Sequence, residues 1–345
     1  MTSKKNLFGM TLSQLQQMCE REGFPKFTAR QMCNWLYEKR VDEISQMTNL
    51  SLKTRARLEE IAVIEKWSPL GCQTSVDGTK KYLFPAEEGQ YIESVFLPEG
   101  DRATLCISCQ KGCKMSCRFC VTGRQGFHGH LTASQILNQI FSIPESDRLT
   151  NVVYMGMGEP MDNYNNVLAS TQVLTSDWGL GWSPKRITVS SVGVTPKLRQ
   201  FIHESDCHIA VSLHNPFDAE RLLIMPAQKA YPISGVLDML KEFDWSGQRR
   251  ISFEYTMFQG VNDSTRHAAE LVRILKGLQC RVNLIRFHAS PEAPFKTCTA
   301  EAMNAFKDYL NNHGITCTIR ASRGEDIMAA CGLLAGKVKR DNGNI

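Results

Sequence analysis

Apolar positions in the first sixth of the chain recur at helical spacing: Leu12, Leu15 and Met18, then Met32, Trp35 and Leu36, then Leu58, Ile61 and Ala62. This periodicity predicts a small accessory unit of short helices over residues 1–64. Between 67 and 98 the pattern changes to strand character, with Asp77-Gly78 as a hairpin turn and Tyr91 to Leu97 as a further strand, so residues 65–100 read as a β extension. From about residue 103 strands and helices alternate. The candidate strands are Leu105–Ser108, Asn151–Met155, Arg186–Ser191, His208–Leu213, Ile251–Met257 and Val282–Phe287, each followed by a helical stretch, with Thr316–Ile319 as a last strand. Thr132-x-x-Gln135 has the form of a capping box, and Ile136, Leu137, Ile140 and Phe141 then give the helix it opens an apolar face. Six strand-helix units over 101–322 predict an α/β fold, a partial (β/α)6 barrel of TIM type, with functional residues just after the strands. Residues 323–345 read as a C-terminal loop and tail.

Composition narrows the class. The chain has 345 residues, 42% hydrophobic and 22% charged, as expected for a globular protein with one sizeable core and an accessory unit. No segment has the apolar length of a bilayer span, and Met1-Thr2-Ser3-Lys4-Lys5 leads into no apolar signal region. No membrane is expected, and the cytoplasm is the expected compartment. Thirteen cysteines without a secretion signal read as thiols, ligands or transient redox groups rather than a disulfide framework. The formal charge is +5, and residues 1–62 hold ten Lys/Arg against seven Asp/Glu. That excess permits an RNA surface near residues 26–57 and equally suits a solvated helix face.

Three cysteines fall within eight residues, Cys113-x-x-x-Cys117-x-x-Cys120, directly behind the first barrel strand. A structural zinc takes four protein ligands, so a trio of thiolates points to a metal centre with one position open. With three irons of a [4Fe-4S] cube held by these thiolates, the fourth can chelate a small molecule such as S-adenosylmethionine (SAM) and pass it an electron. Phe119 adds an aromatic wall. The alternative is a zinc loop that recruits a fourth ligand elsewhere, such as Cys109 or Cys106, in an RNA-binding protein without catalysis.

Other unusual segments also follow strands. Gly156-Met157-Gly158-Glu159-Pro160 suits close backbone approach to a ligand, with a carboxylate to accept from an ammonium group; a plain tight turn is the alternative. Ser190-Ser191 and Ser212-Leu213-His214 end the third and fourth strands, and His288 the sixth; taken singly, each is equally an ordinary loop residue. In Ser322-Arg323-Gly324-Glu325-Asp326-Ile327-Met328-Ala329-Ala330-Cys331-Gly332 one cysteine sits between small residues, which favours an accessible thiol.

Together, TLCISCQKGCKMSCRFCVTGRQGF (104–127), GMGEP (156–160) and SRGEDIMAACG (322–332) resemble the RlmN/Cfr group of radical-SAM methyltransferases, and the similarity spans essentially the whole chain. The resemblance implies a partial radical-SAM barrel with an N-terminal accessory domain, and methylation of an adenine ring carbon in ribosomal RNA. Such a carbon has no lone pair to attack a sulfonium methyl, and its C–H bond is too weak an acid for a side-chain base. The family's answer uses two SAM molecules per turnover. One methylates Cys331 by polar displacement; the second, on the cluster held by Cys113, Cys117 and Cys120, yields a 5′-deoxyadenosyl radical that takes hydrogen from that methyl group. The methylene radical adds to the adenine, and Cys106 then attacks the Cys331 sulfur, forming a transient disulfide and releasing product. Glu93 matches the family's proton acceptor.

By motif position, Gly158, Glu159, Ser190, Ser212, Leu213, His214 and His288 are implied to line the SAM site. His288 stands where many relatives carry Asn, Arg286 where Pro is common and Cys109 where Ser is common. Pro160 resembles the branch acting at C2 of adenine in 23S rRNA, which also modifies the adenosine next to the anticodon in tRNAs; the branch acting at C8 usually carries Ala there. The implied partners are 23S rRNA, tRNA and an electron donor such as flavodoxin, with the chain acting as a monomer.

Overall fold

The computed structural model describes residues 4–86, 89–247, 249–289 and 293–335. The ends of the expected first and last segments, residues 1–3 and 336–345, lie outside the described residues. The helices predicted at the start are α1 (Leu12–Glu22), α2 (Thr28–Cys33) and α3 (Leu52–Ile61). Thr11 starts α1 with a capping box, its hydroxyl accepting from the Gln14 N–H while the Gln14 side chain accepts from the Thr11 N–H. Ser51 caps α3 by accepting the Thr54 N–H at its hydroxyl. Two short strands, β1 (Lys5–Asn6) and β2 (Ala62–Val63), close the unit in parallel. Ala62 therefore leaves the helix the periodicity placed it in.

The β extension is β3 (Gly71–Thr74), β4 (Lys80–Pro85) and β5 (Tyr91–Glu99). These strands do not stand apart: they pair antiparallel along one edge of the main sheet. That sheet continues through β6 (Arg102–Cys106). Then comes a two-stranded ribbon, β7 (Gln110–Gly112) with β8 (Phe127–His130), enclosing the short helix α4 (Val121–Arg124). The ribbon was not expected, and it lies ahead of the helix predicted after the first barrel strand; three- and four-residue strands broken by glycines carry no periodicity to read.

Helix α5 (Ala133–Phe141) starts at the predicted Thr132–Gln135 capping box and buries Ile136, Leu137 and Ile140. From there the alternation is regular: β9 (Asn151–Tyr154), α6 (Tyr164–Thr175), β10 (Ile187–Ser191), α7 (Thr195–Glu204), β11 (His208–Ser212), α8 (Asp218–Ile224), α9 (Ile233–Lys241), β12 (Ile251–Met257), α10 (Thr265–Leu275), β13 (Cys280–Arg286), α11 (Ala300–Asn312) and β14 (Thr316–Ile319). The sheet order is β14-β13-β12-β11-β10-β9-β6-β5-β4-β3, with the seven strands from β6 to β14 parallel. The expected six-unit partial barrel thus gains β14 as a seventh parallel strand. Pairings such as Cys106 with Val153 and Ser212 with Glu254 align the C-terminal strand ends on one rim.

One continuous core runs from the N-terminal helices into the barrel. Phe141 of α5 packs edge-on against Phe8 at 5.1 Å, and the Asn138 amide exchanges two 2.8 Å hydrogen bonds with the Trp67 backbone. Among the described residues no helix is long and apolar enough to cross a membrane.

Candidate active site

A cavity of about 220 Å³ opens at the C-terminal rim of the parallel strands. Its wall brings together Cys113, Cys117 and Cys120 from the loop after β7, Cys106 from β6, and Cys331 from the C-terminal segment. Gly158, Glu159, Ser190, Ser212, His214 and His288 also line it. Two expected residues do not. Leu213 is fully buried behind the wall, its N–H bonded to the Glu254 carbonyl and its own carbonyl to Arg221. Glu93 lies on the same face of β5 as Val95, which does line the cavity, but its carboxylate is taken up by Lys81 at 3.2 Å and by the Ala335 N–H at 2.7 Å.

The three thiols of the 113–120 loop are buried or half-buried. Burial pushes Cys113 up to about 12, and burial with the neighbouring thiols raises Cys117. Without a cation these groups are neutral thiols; a cluster of ferric and ferrous iron supplies the charge that makes three thiolates tolerable in one wall. The donor set fits such a cluster. Three soft thiols along one wall suit a cube whose irons can each take one of them. Cys109, the expected rival ligand, is outside the cavity wall: it is buried, and its N–H and carbonyl are bonded to Met157 and Leu131.

Cys106 and Cys331 share the cavity and lie within electrostatic reach of each other. Burial, then the Cys331 charge, drives Cys106 up to about 12, while Arg320 acts to lower it. Arg320 leaves the end of β14 toward Glu254, at 3.5 Å; burial disfavours its charge, but Glu254 and the two thiols outweigh that. Cys331 is exposed. Its segment is tied to the cluster loop by the Val121 N–H to the Gly332 carbonyl (2.8 Å) and the Thr122 hydroxyl to the Leu334 carbonyl (2.6 Å).

On the cofactor side, Gly158 has φ +108, and a Cβ there would stand 2.6 Å from Gln110 Cβ, so only glycine lets the loop close against β7. Glu159 was expected to accept from an ammonium group. Its oxygens accept the Met161 N–H (3.0 Å) and the Val192 N–H (2.9 Å), one each, which joins the loop after β9 to the loop after β10. Burial raises Glu159 to about 7 despite these donors. His214 has φ +54, accepts the Thr256 N–H at Nδ1 (2.9 Å) and meets Phe119 edge-on at 4.8 Å. Burial, then Arg221, lowers it to about 3, so it is a neutral imidazole with its proton on Nε2. His288 links Ser322 Oγ (3.1 Å) and Glu325 (3.0 Å), bracing the start of the Cys331 segment.

Sequence reasoning missed Arg221, Arg320 and Glu254. Arg221 is completely buried, and its guanidinium donates to the carbonyls of Val192 (2.9 Å), Ser212 (2.8 Å) and Leu213 (3.0 Å), fixing the ends of β10 and β11. A lone Arg on a helix reads as surface charge. Glu254 within the apolar run of β12 was the one available signal.

Residues 5–64 match the family described as "Ribosomal RNA large subunit methyltransferase N-terminal domain", and residues 107–272 match the Radical SAM superfamily. A "Probable dual-specificity RNA methyltransferase RlmN" of Phocaeicola vulgatus is 54% identical over 343 residues, covering 99% of this chain and 98% of its own. A "Dual-specificity RNA methyltransferase RlmN" of Syntrophus aciditrophicus is 42% identical over 336 residues, covering 96% and 97%. A radical SAM methyltransferase from Sphaerobacter thermophilus superposes with a TM-score of 0.88 at 37% identity, over 96% of this chain and 100% of that one. With such identity across the accessory unit, the barrel and the C-terminal segment alike, this chain belongs to the RlmN family, SAM-dependent RNA methyltransferases of the radical SAM superfamily.

Proposed function

We propose that this chain methylates C2 of an adenine in 23S rRNA, and of the adenosine next to the anticodon in tRNAs, with Cys331 as methyl carrier and Cys106 as the thiol that releases product. The observation that carries the reading is the meeting in one cavity of three cluster-type thiols and two further, separately anchored thiols. When bound, a [4Fe-4S] cluster on Cys113, Cys117 and Cys120 with SAM supplies the methyl group and the hydrogen-abstracting radical that an adenine ring carbon requires.

The protein's own groups do the rest. Cys331, exposed at a small-residue turn, accepts the methyl group and presents it to the base. Cys106 waits as a neutral thiol; once Cys331 bears carbon and no negative charge, one cause of its high pKa is gone and Arg320 remains to favour the thiolate. Its thiolate attacks the Cys331 sulfur and forms the Cys106–Cys331 bond; the electron pair of the broken S–C bond leaves with the adenine-linked carbon, which takes a proton to become the methyl group, and the disulfide left behind is reduced by external thiols. Glu93 takes the C2 proton. For that it must exchange the Ala335 N–H for the base, so release of the C-terminal segment from Glu93 accompanies substrate entry. Gly158, Ser190, Ser212, His214 and His288 line the part of the cavity assigned to SAM, and a low-potential protein such as flavodoxin supplies the electron.

The test is turnover by anaerobically reconstituted protein on an rRNA fragment, with nucleoside mass spectrometry and NMR. The expected product is 2-methyladenosine, Cys331→Ala makes none, and Cys106→Ala leaves enzyme covalently joined to RNA on a denaturing gel. Wild-type rates in Cys331→Ala overturn the carrier, and 8-methyladenosine overturns the C2 assignment.

A further inference from the structure

The β3–β4 turn reaches across the molecule to the segment that carries Cys331. Asp77 accepts the Thr79 N–H within the turn (2.9 Å) at one oxygen and the Gly324 N–H (3.0 Å) at the other. In return Asp326 accepts the Ser75 hydroxyl (2.6 Å) and the Val76 N–H (3.3 Å). Gly324 has φ +61, and a Cβ there would lie 2.8 Å from both Thr79 Cγ2 and Ala329 Cβ, so the two strips of chain are in direct contact. Three reciprocal hydrogen bonds therefore join a hairpin turn to residues 324–326, some 250 positions away in the chain.

The clamp is passed on to Cys331 by a short, bonded path. The Gly324 carbonyl accepts the Ala329 N–H (2.8 Å) and the Glu325 carbonyl the Met328 N–H (3.0 Å), which leaves only Ala330 before Cys331. Downstream, Gly332 and Leu334 are tied to Val121 and Thr122, immediately behind cluster ligand Cys120. The downstream tie thus depends on how the cluster loop is ordered. The upstream clamp does not, since Ser75, Asp77 and Thr79 belong to the antiparallel edge of the sheet.

We propose that Ser75, Asp77 and Asp326 form a latch whose function is to hold Cys331 facing Cys106 whether or not the cluster is in place. These are positioning residues: none of them lines the cavity. Two thiols held in register react as if at high local concentration, and the same register places the Cys331 methyl group for hydrogen abstraction. The proposal rests on the carrier role given to Cys331 above.

The test begins with full-length protein free of iron. Diamide oxidises two thiols to a disulfide, taking two electrons and two protons to become the hydrazine, and peptide mass mapping follows the Cys106–Cys331 bond. Asp77→Ala and Asp326→Ala are expected to slow its formation by about tenfold. Asp326→Asn keeps both contacts, since its amide oxygen accepts the Val76 N–H and its amide nitrogen donates to Ser75 Oγ, and is expected to match wild type. Melting curves identify variants that fail to fold, and Ser75→Ala, which loses a single bond, then serves as the milder probe. In reconstituted enzyme, Asp77→Ala is expected to spend more 5′-deoxyadenosine per methylated RNA with unchanged KM for RNA. Wild-type disulfide rates in folded Ala variants overturn the latch, as does an Asp326→Asn as slow as Asp326→Ala. Methylation by Cys331→Ala would instead overturn the carrier role and leave the disulfide comparison standing.

Discussion

His214 shows how burial fixes the chemistry of one residue. A histidine at a strand end reads from sequence as an ordinary loop residue or, by its motif, as part of the SAM site, but here it is buried, receives an N–H at Nδ1 and sits near the Arg221 charge. With its folded value near 3 and an unfolded value near 6.5, the unfolded chain binds the extra proton between those limits. Stability from His214 is therefore complete above pH 6.5 and is lost as pH falls toward 3, on the order of 3 kcal/mol by pH 4. His208, held near 4, adds the same sign, and Glu159, raised to about 7, the opposite one. His214→Asn tolerates the left-handed backbone and can accept the Thr256 N–H. It is expected to flatten the loss between pH 6.5 and 4 in urea titrations of iron-free protein, against wild type so that the other groups cancel. An unchanged slope would mean that His214 is protonated in the fold.

At the scale of elements, the site is a set of loops pinned to one another. Glu159 ties the loop after β9 to the one after β10, and Arg221 of α8 ties the ends of β10 and β11. Removing the Arg221 guanidinium while keeping its volume, as in Arg221→Met, takes the donor from the Val192 and Ser212 carbonyls, leaves the Leu213 carbonyl only the Asn215 N–H, and is expected to cost about 3–5 kcal/mol in denaturant unfolding. Because the Arg221 charge also bears on Cys117, the same variant is expected to take up iron more slowly, read as the growth of absorbance near 400 nm. The strand and helix periods of these elements were plain in the sequence, as was the Thr132–Gln135 cap. The β7–β8 ribbon was not, and neither were the partners of Glu159, because side-chain bonds between loops leave no periodic trace.

At the scale of the whole molecule, the C-terminal segment behaves as a strap fastened at four places: His288, the β3–β4 turn, the loop behind Cys120, and Glu93. Only the fastening behind Cys120 involves the cluster loop. Chelating the iron from reconstituted protein is therefore expected to raise amide exchange at residues 113–122 and 330–334 and to lower the melting temperature, while residues 75–79 and 324–326 keep their protection. Uniform loosening of the whole strap would show that the cluster, and not the hairpin, carries its order.

The amino-acid sequence by itself determined the alternating α/β architecture, the helical accessory unit and the trio of cysteines, because hydrophobic periodicity and ligand spacing are local properties of a chain. It also carried the family motifs around Cys106, Glu159 and Cys331. Only the tertiary structure decided which cysteines share a cavity, that Cys109 and Leu213 stand behind its wall, and that Glu93 is engaged by Lys81 and Ala335. It alone revealed Arg221, Arg320 and the hairpin that grips the Cys331 segment. The physical reason is the same in each case: burial and charge pairing arise between residues far apart in the chain, and they are defined only once the sheet has set its strand order.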